Sequence, residues 1–305
     1  MSAISPPPSL TAYDLHRGTV ELRPLSVIDM IDGAFSVCRA NKRLIAATVL
    51  LIMVPLQLLA AFFQRDAIQQ LGAALQAPGV ATGLFTGEGE VASLLTSLAT
   101  QVLVTPVLFG ALTLIAGRGA AGAPLSGQQL VRATARRSGV LIGAYIGLGL
   151  IRFGPLLLAG LAAATGSFAL VALLVVVGFV WAVVLTPFIA TVTPALMLED
   201  RPATEAISHA VRLARRGYWR VVGLILLGGF VFNLIAGLLA GVASLFAVAS
   251  GLGFAWVLVG LSNVLSLLIQ GPLTAAAMVL LHQDLRVRQE GLDFDVLIGR
   301  LAARV

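Results

Sequence analysis

The residues that could do chemistry are few in this sequence of 305 residues, and they form no catalytic or metal-binding pattern. The single cysteine, Cys38, excludes an intrachain disulfide and any Cys-x-x-Cys site. The histidines His16, His209 and His282 are far apart in the sequence and match no metal-ligand spacing. We therefore expect a protein without catalysis, metal or cofactor.

Two adjacent carboxylates, Glu199 and Asp200, are the nearest approach to an acid–base pair. As neighbours in sequence they would point to different sides of a helix. Arg201 follows directly, so the favoured interpretation is a solvated ion cluster at a membrane boundary. The alternative is an enzyme that acts on a lipid near Glu199, Glu205 and His209.

Arg152 is the charged residue that lies deepest in an apolar stretch, because it is the 13th residue of the third such stretch. An unpaired arginine at mid-membrane costs at least about 2.5 kcal/mol, so a partner or a function is the default expectation. Carbonyls freed near Pro155, polar side chains or an anionic ligand could supply that partner. The simpler interpretation is that the side chain extends to the membrane surface.

A stripe of polar residues follows one face of the last apolar stretch. Asn263, Ser266, Gln270 and Thr274 recur every three or four residues, so they share one side of a helix. Asn233 in the preceding stretch could face them, as could Gln57, Gln101 and Thr105. Such a stripe either lines a pathway or, more commonly, forms hydrogen bonds between helices.

The composition of the chain identifies it as a multi-pass membrane protein. Apolar residues make up 58% of the chain and charged residues 11%, and the mean hydropathy is +0.98. Soluble domains have about 25% charged residues, so this chain could not cover a water-facing surface. Six stretches reach the length of about 20 residues that a membrane helix needs. They are residues 44–63, 91–115, 140–163, 169–198, 221–246 and 255–281.

The distribution of basic residues predicts the orientation of these helices. Of the 20 Lys and Arg residues, 18 lie in the two tails and in the second and fourth loops. The positive-inside rule therefore places both termini in the cytoplasm. The high pI then reflects contact with anionic lipid headgroups rather than with nucleic acid. The predicted lipid contacts are Arg39, Lys42, Arg43, Arg136, Arg137, Arg215, Arg216, Trp219 and Arg220.

Three similar segments precede the odd-numbered stretches. Each has a proline followed two residues later by a potential helix cap, at Ser26, Ser126 and Thr204. The first presents Val27, Ile31, Ala34, Phe35 and Cys38 on one face, which is typical of an amphipathic helix lying in the membrane interface.

The predicted fold is therefore an all-α membrane protein. Its six transmembrane helices form three helical hairpins, each preceded by a cytoplasmic interfacial amphipathic helix. Residues 1–22 are predicted to be a disordered tail, residues 23–290 the membrane domain, and residues 291–305 a cytoplasmic tail.

Several boundary motifs resemble those of a known bacterial family. They are LRPLSV at 22–27 with DGAF at 32–35, PALMLED at 194–200, EAIS at 205–208, RLARRGYWR at 212–220 and DLRVRQEGLD at 284–293. Together they resemble the glycerophosphoryl diester phosphodiesterase membrane domain family. The resemblance implies a six-helix protein of the bacterial inner membrane. The phosphodiesterase activity does not carry over, because a catalytic barrel needs about 250 further residues.

The sequence thus favours a non-catalytic scaffold or accessory subunit in a membrane or envelope process, with a protein partner of unknown identity. The alternative is a transporter or lipid-handling protein for an anionic or amphipathic molecule. In that alternative Arg152 lies in the site, and Asn233, Asn263 and Gln270 are the other candidate polar residues.

Overall fold

A computed structural model of the chain describes residues 25–69, 89–123 and 125–290. In these residues 91% of the chain is helical and no strand occurs, so the predicted all-α class is confirmed. The predicted tails, residues 1–22 and 291–305, lie outside the described residues.

The helices of the described residues come in this order along the chain. They are α1 (Val27–Ala40), α2 (Lys42–Phe63), α3 (Gly89–Ala99), α4 (Thr105–Ala120), α5 (Gly127–Ala162), α6 (Phe168–Ala190), α7 (Val192–Leu198), α8 (Ala203–Arg216), α9 (Tyr218–Ala249) and α10 (Ala255–Glu290). A π-helical turn, Thr100–Val104, joins α3 to α4. The fourth apolar stretch is interrupted at Thr191, between Pro187 and Pro194, where α6 ends and α7 begins.

Six helical segments of the described chain are long and apolar enough to cross a membrane, as predicted. They are Lys42–Phe63, Leu95–Ala120, Gly127–Ala162, Phe168–Leu198, Tyr218–Ala249 and Ala255–Glu290. The third and the sixth extend well beyond the predicted limits of 140 and 281. Hydropathy identifies only the apolar part of a helix, and both helices continue through polar turns beyond that part.

Serine caps begin two helices where the sequence predicts them. The Ser26 hydroxyl accepts the Asp29 amide at 3.1 Å, and the Asp29 carboxylate accepts the Ser26 amide at 2.9 Å. Ser126 and Gln129 form the same reciprocal capping box at the start of α5. The predicted cap at Thr204 is wrong, because Pro202 occupies the N-cap of α8 and Thr204 lies inside its first turn.

The second amphipathic segment is not a separate helix, which corrects the predicted fold. The backbone leaves the α conformation at Asn41 between α1 and α2, and at Gly217 between α8 and α9. No such break follows Ser126, because α5 runs without interruption from Gly127 to Ala162.

Helices α1 and α8 turn their apolar sides toward the protein rather than toward lipid. Met30, Ala34 and Val37 of α1 are buried in a core cluster with residues of α9 and α10. Phe35, which was predicted on the apolar face, is 37% exposed. We call the end of the bundle where α1, α8 and the last turns of α10 meet the elbow end.

Helix α10 lies at the centre of the bundle and packs against α1, α2, α4 and α9. Its apolar window is 56% buried, whereas the corresponding windows of α5 and of the α6–α7 segment are 6% and 11% buried. Gly260 allows the close approach of α10 to α2. A Cβ atom there would lie 3.2 Å from the Gln57 carbonyl oxygen and 3.2 Å from the Ala61 Cβ.

Replacing Gly260 with Leu is expected to lower the free energy of unfolding by about 1–3 kcal/mol, because the larger side chain overpacks the contact between α2 and α10. The thermal unfolding midpoint of the detergent-solubilised protein, followed by circular dichroism, measures this loss. Gly241→Leu is the matched control, since no atom lies within 4 Å of a Cβ atom at Gly241. Equal losses in the two variants would contradict the proposed close contact.

Candidate functional site

A polar cleft of about 340 Å³ lies between α2, the α3–π-turn segment and α10. Four of its lining residues, Ala60, Ala61, Val259 and Leu267, are apolar. The others carry amide or hydroxyl groups: Gln57, Gln64, Ser97, Thr100, Gln101, Asn263, Ser266 and Gln270. We call this site the amide cleft. No charged side chain is among its described lining residues.

Local backbone features bring the polar groups of the amide cleft together. The π turn widens the helix at Thr100 and Gln101, because the Thr105 amide bonds to the Thr100 carbonyl five residues earlier. The Thr105 hydroxyl donates to the same carbonyl at 3.0 Å. Pro106 follows directly and cannot donate a backbone hydrogen bond, which favours an irregular turn at this point. Turns of this kind are frequent at functional sites.

The structure brings two of the predicted site residues, Asn263 and Gln270, into the cleft. The Gln270 amide also donates to the Asn233 side-chain oxygen at 3.0 Å. Asn233 in turn donates to the Gly229 carbonyl at 2.8 Å. Asn233 therefore supports a cleft residue without lining the cleft itself.

Arg152 lies apart from this group, on α5. It is half-buried and its guanidinium carbon lies 4.9 Å from the centre of the Phe153 ring. Within the described part of the chain, its buried Nε has no hydrogen-bond partner. The structure thus separates Arg152 from Asn263 and Gln270, with which the sequence had grouped it.

A second group of polar residues is buried at the elbow end. The Glu199 carboxylate follows α7 and accepts hydrogen bonds from His209 of α8 at 2.9 Å and from His282 of α10 at 2.9 Å. The other ring nitrogen of His209 lies 2.5 Å from the Glu290 carboxylate. We call these four residues the His–Glu cluster.

The prediction of a solvated ion cluster is right for Asp200, whose side chain is 73% exposed, and wrong for Glu199, which is 6% exposed. Burial alone would raise the pKa of Glu199. The hydrogen bonds and charges of His282 and His209 outweigh burial and hold this pKa below its usual value of 4.5.

A further buried carboxylate, Asp284 of α10, connects α9 and the residues before α1 to α10 at the elbow end. It accepts the Leu25 amide at 2.8 Å, the Arg220 Nε at 2.7 Å and the Arg288 Nε at 3.0 Å. The Arg220 guanidinium also donates to the Leu25 carbonyl. The start of α9 and the residues before α1 are thereby fastened to α10.

Two arginines that were predicted to contact lipid have partners inside the protein. Arg220 pairs with Asp284. Arg137 donates to the carbonyls of Leu196 and Glu199 and pairs with Asp200 at 3.1 Å. Lipid contact stays a prediction for Arg39, Lys42, Arg43, Arg136, Arg215, Arg216 and Trp219.

Glu199 and His209 were grouped by the sequence only in the enzyme alternative. His282 and Glu290 were missed because they are far away in sequence, 83 positions from Glu199 and 81 from His209 respectively. One signal was present. His209 shares the spacing of Ala206, Ala210 and Leu213, which form the buried stripe of α8. An ionisable residue on an apolar stripe indicates a buried partner.

The chemistry available at the two sites differs. The cleft offers neutral donors and acceptors around an open volume. The His–Glu cluster offers groups that can exchange protons, and His209, His282 and Glu199 are all buried. Among the described residues, no group of three or more His, Cys, Asp or Glu has a geometry that could hold a metal ion.

Comparison of the chain with family models, with curated proteins and with solved structures finds no match. The family resemblance of the boundary motifs therefore stays a prediction.

Replacing Glu199 with Gln is expected to lower the free energy of unfolding at neutral pH by about 3–5 kcal/mol, because the change breaks a buried ionic contact. The variant should also be less sensitive to acid. A carboxylate with a lowered pKa stabilises the fold above pH 4.5, and this contribution is lost as the pH falls through the pKa of the folded state. Thermal unfolding in detergent at neutral pH and below pH 4.5 measures both effects.

Asp200→Asn is the control, since it changes the neighbouring exposed carboxylate. Unfolding midpoints that fall in parallel with pH in the wild type and in Glu199→Gln would rule out this role for Glu199.

Proposed function

We propose that the protein handles a lipid or another amphipathic molecule, and that the amide cleft binds the uncharged polar headgroup of that molecule. The observation that carries this proposal is the polar lining of a cleft that lies within a bundle of apolar helices. Amides and hydroxyls both donate and accept hydrogen bonds, so they suit hydroxyl-rich groups such as glycerol or a sugar.

The size and the charge of the cleft support this ligand class. A volume of about 340 Å³ falls at the lower end of the range for small-molecule pockets, which is enough for a headgroup but not for a whole lipid. The described lining has no Lys or Arg to neutralise a phosphate or carboxylate. Because Arg152 is not part of the lining, the proposal shifts the site from Arg152 to Asn263 and Gln270.

Lipid binding is tested by native mass spectrometry of the full chain extracted from bilayers. The bilayers contain a diacylglycerol glucoside and phosphatidic acid with the same acyl chains. We expect the neutral glycolipid to be retained preferentially. The double variant Asn263→Leu, Gln270→Leu should retain it about tenfold less, because the sugar hydroxyls lose hydrogen bonds that cost about 1–3 kcal/mol when left unmade.

Two controls accompany this experiment. Gln283→Leu makes the same chemical change on the same helix outside the cleft lining. Arg152→Ala tests the alternative site on α5. Preferential retention of phosphatidic acid that is lost in Arg152→Ala would contradict the cleft proposal and would favour an anion site at Arg152.

We propose further that the protein lies in a bacterial cytoplasmic membrane with the elbow end and both termini in the cytoplasm. The excess of basic residues on that side supports this orientation. In this orientation α1 and α8 lie at the membrane interface, and the six spans form three hairpins. Trp219, which is 81% exposed at the start of α9, would then lie at headgroup level.

The orientation predicts which introduced cysteines react with a membrane-impermeant maleimide in intact cells. In a Cys38→Ala background, a cysteine replacing Leu252 should react before lysis, because Leu252 lies exposed in the connection between α9 and α10. A cysteine replacing Ser208, on the exposed side of α8, should react only after lysis. The reverse pattern would mean that the elbow end faces outward.

A scaffold or accessory subunit is the second candidate function. It is supported by large apolar side chains that stay exposed near the elbow end, where Ile28 is 65% exposed and Val131 is 68% exposed. Ion contacts fasten this end, so it could present a fixed surface to a protein partner. Stoichiometric co-purification of one protein, abolished by Ile28→Ser and Val131→Ser together, would favour this function over lipid handling.

A further inference from the structure

His209 lies between two carboxylates in the His–Glu cluster. Its Nδ1 atom lies 2.9 Å and 3.0 Å from the two oxygens of Glu199. Its Nε2 atom lies 2.5 Å from an oxygen of Glu290. Both contacts are within hydrogen-bond distance, so each needs a proton between its two atoms.

The number of protons in this arrangement follows from what each group can donate. A neutral imidazole has one donor nitrogen and one acceptor nitrogen, and an ionised carboxylate only accepts. A neutral His209 between two ionised carboxylates would therefore place a nitrogen lone pair against an oxygen lone pair. One further proton is required, either on the second nitrogen of His209 or on Glu290.

The charged groups around His209 come from every element that packs against it. Helix α10 contributes His282, which donates to Glu199, and Arg286, which pairs with Glu290 at 3.0 Å. Arg201, before α8, pairs with Glu199 at 3.3 Å. Arg137 of α5 binds the Glu199 carbonyl and the Asp200 carboxylate. On α8 itself, Glu205 and Arg212 lie one turn before and one turn after His209, on the same side of the helix, and both are exposed.

We propose that the contact between α8 and the end of α10 is a proton-dependent latch, in which His209 and Glu290 share one proton. With the proton present, the last turn of α10 is held to α8. When the proton leaves, the facing lone pairs repel each other and Glu290 separates from His209. The proton has a route to water, because the Glu290 side chain is 32% exposed whereas His209 is buried.

The position of the latch gives it a consequence for the rest of the chain. Glu290 is the last residue of α10, and residues 291–305 follow it in the sequence. Opening the latch would release Glu290 from α8, while Gln289 would still donate to the Leu213 carbonyl of α8 at 3.0 Å. It would leave the Asp284 contacts in place, because Asp284 binds Leu25, Arg220 and Arg288 and not His209.

NMR of the full chain in detergent tests for the shared proton. The chain is labelled with ¹⁵N in the histidine rings and with ¹³C in the glutamate carboxyls. Single His→Gln variants at the three histidines assign the ring signals. At about pH 7 we expect either both His209 nitrogens protonated or a neutral carboxylic acid at Glu290. A neutral His209 facing an ionised Glu290 in the folded protein would overturn the proposal.

Amide hydrogen exchange of the last turn of α10 tests the opening of the latch. The exchange rates are corrected for the intrinsic effect of pH on exchange. Between about pH 7 and about pH 9 the wild type should lose protection several-fold. Glu290→Gln should lose none, because a glutamine amide donates to a neutral His209 without the extra proton. Asp200→Asn should behave as the wild type. Protection that stays constant in the wild type, or that falls equally in Glu290→Gln, would overturn the latch.

Discussion

The arrangement of the elbow end depends on the hydrogen bonds and ion pairs of one buried carboxylate, that of Asp284. It is fully enclosed and receives hydrogen bonds from the Leu25 amide, Arg220 and Arg288. A buried carboxylate is tolerated only when it is paired and hydrogen-bonded, so these partners are obligatory rather than incidental. Since they belong to three different segments, satisfying one charge fixes the start of α1 and the start of α9 against α10.

Helix α10 carries two kinds of polar site within the same apolar bundle, one neutral and open and the other charged and enclosed. Its first half carries the neutral residues Asn263 and Gln270 around an open cleft. Its last turns carry His282 and Asp284, which are enclosed by charged partners. Helical rise separates Gln270 from Asp284 by about 20 Å, so the two sites are distinct. Neutral groups can remain next to an open volume in the membrane, whereas charges need enclosed partners.

The parts of the candidate site that the sequence predicted are those that obey helical periodicity. Asn263 and Gln270 share a face because seven residues make two turns, and that face lines the cleft. Glu199 was predicted to be solvated, because two adjacent acidic residues beside an arginine usually are. Its burial follows from the fold, which packs the end of α7 against α8 and α10.

The sequence alone determined the membrane class, the six spans, the serine caps of α1 and α5, and the polar face of α10. These properties depend on residues that are close in the chain, where composition, helical period and capping act locally. Only the tertiary structure decided that Arg152 stands apart from the cleft, that Arg137 and Arg220 bind protein groups, and that His209 meets Glu290. Such pairs join distant positions, which are 259 apart for Leu25 and Asp284, and the packing of whole helices selects them. No local pattern encodes which helices become neighbours.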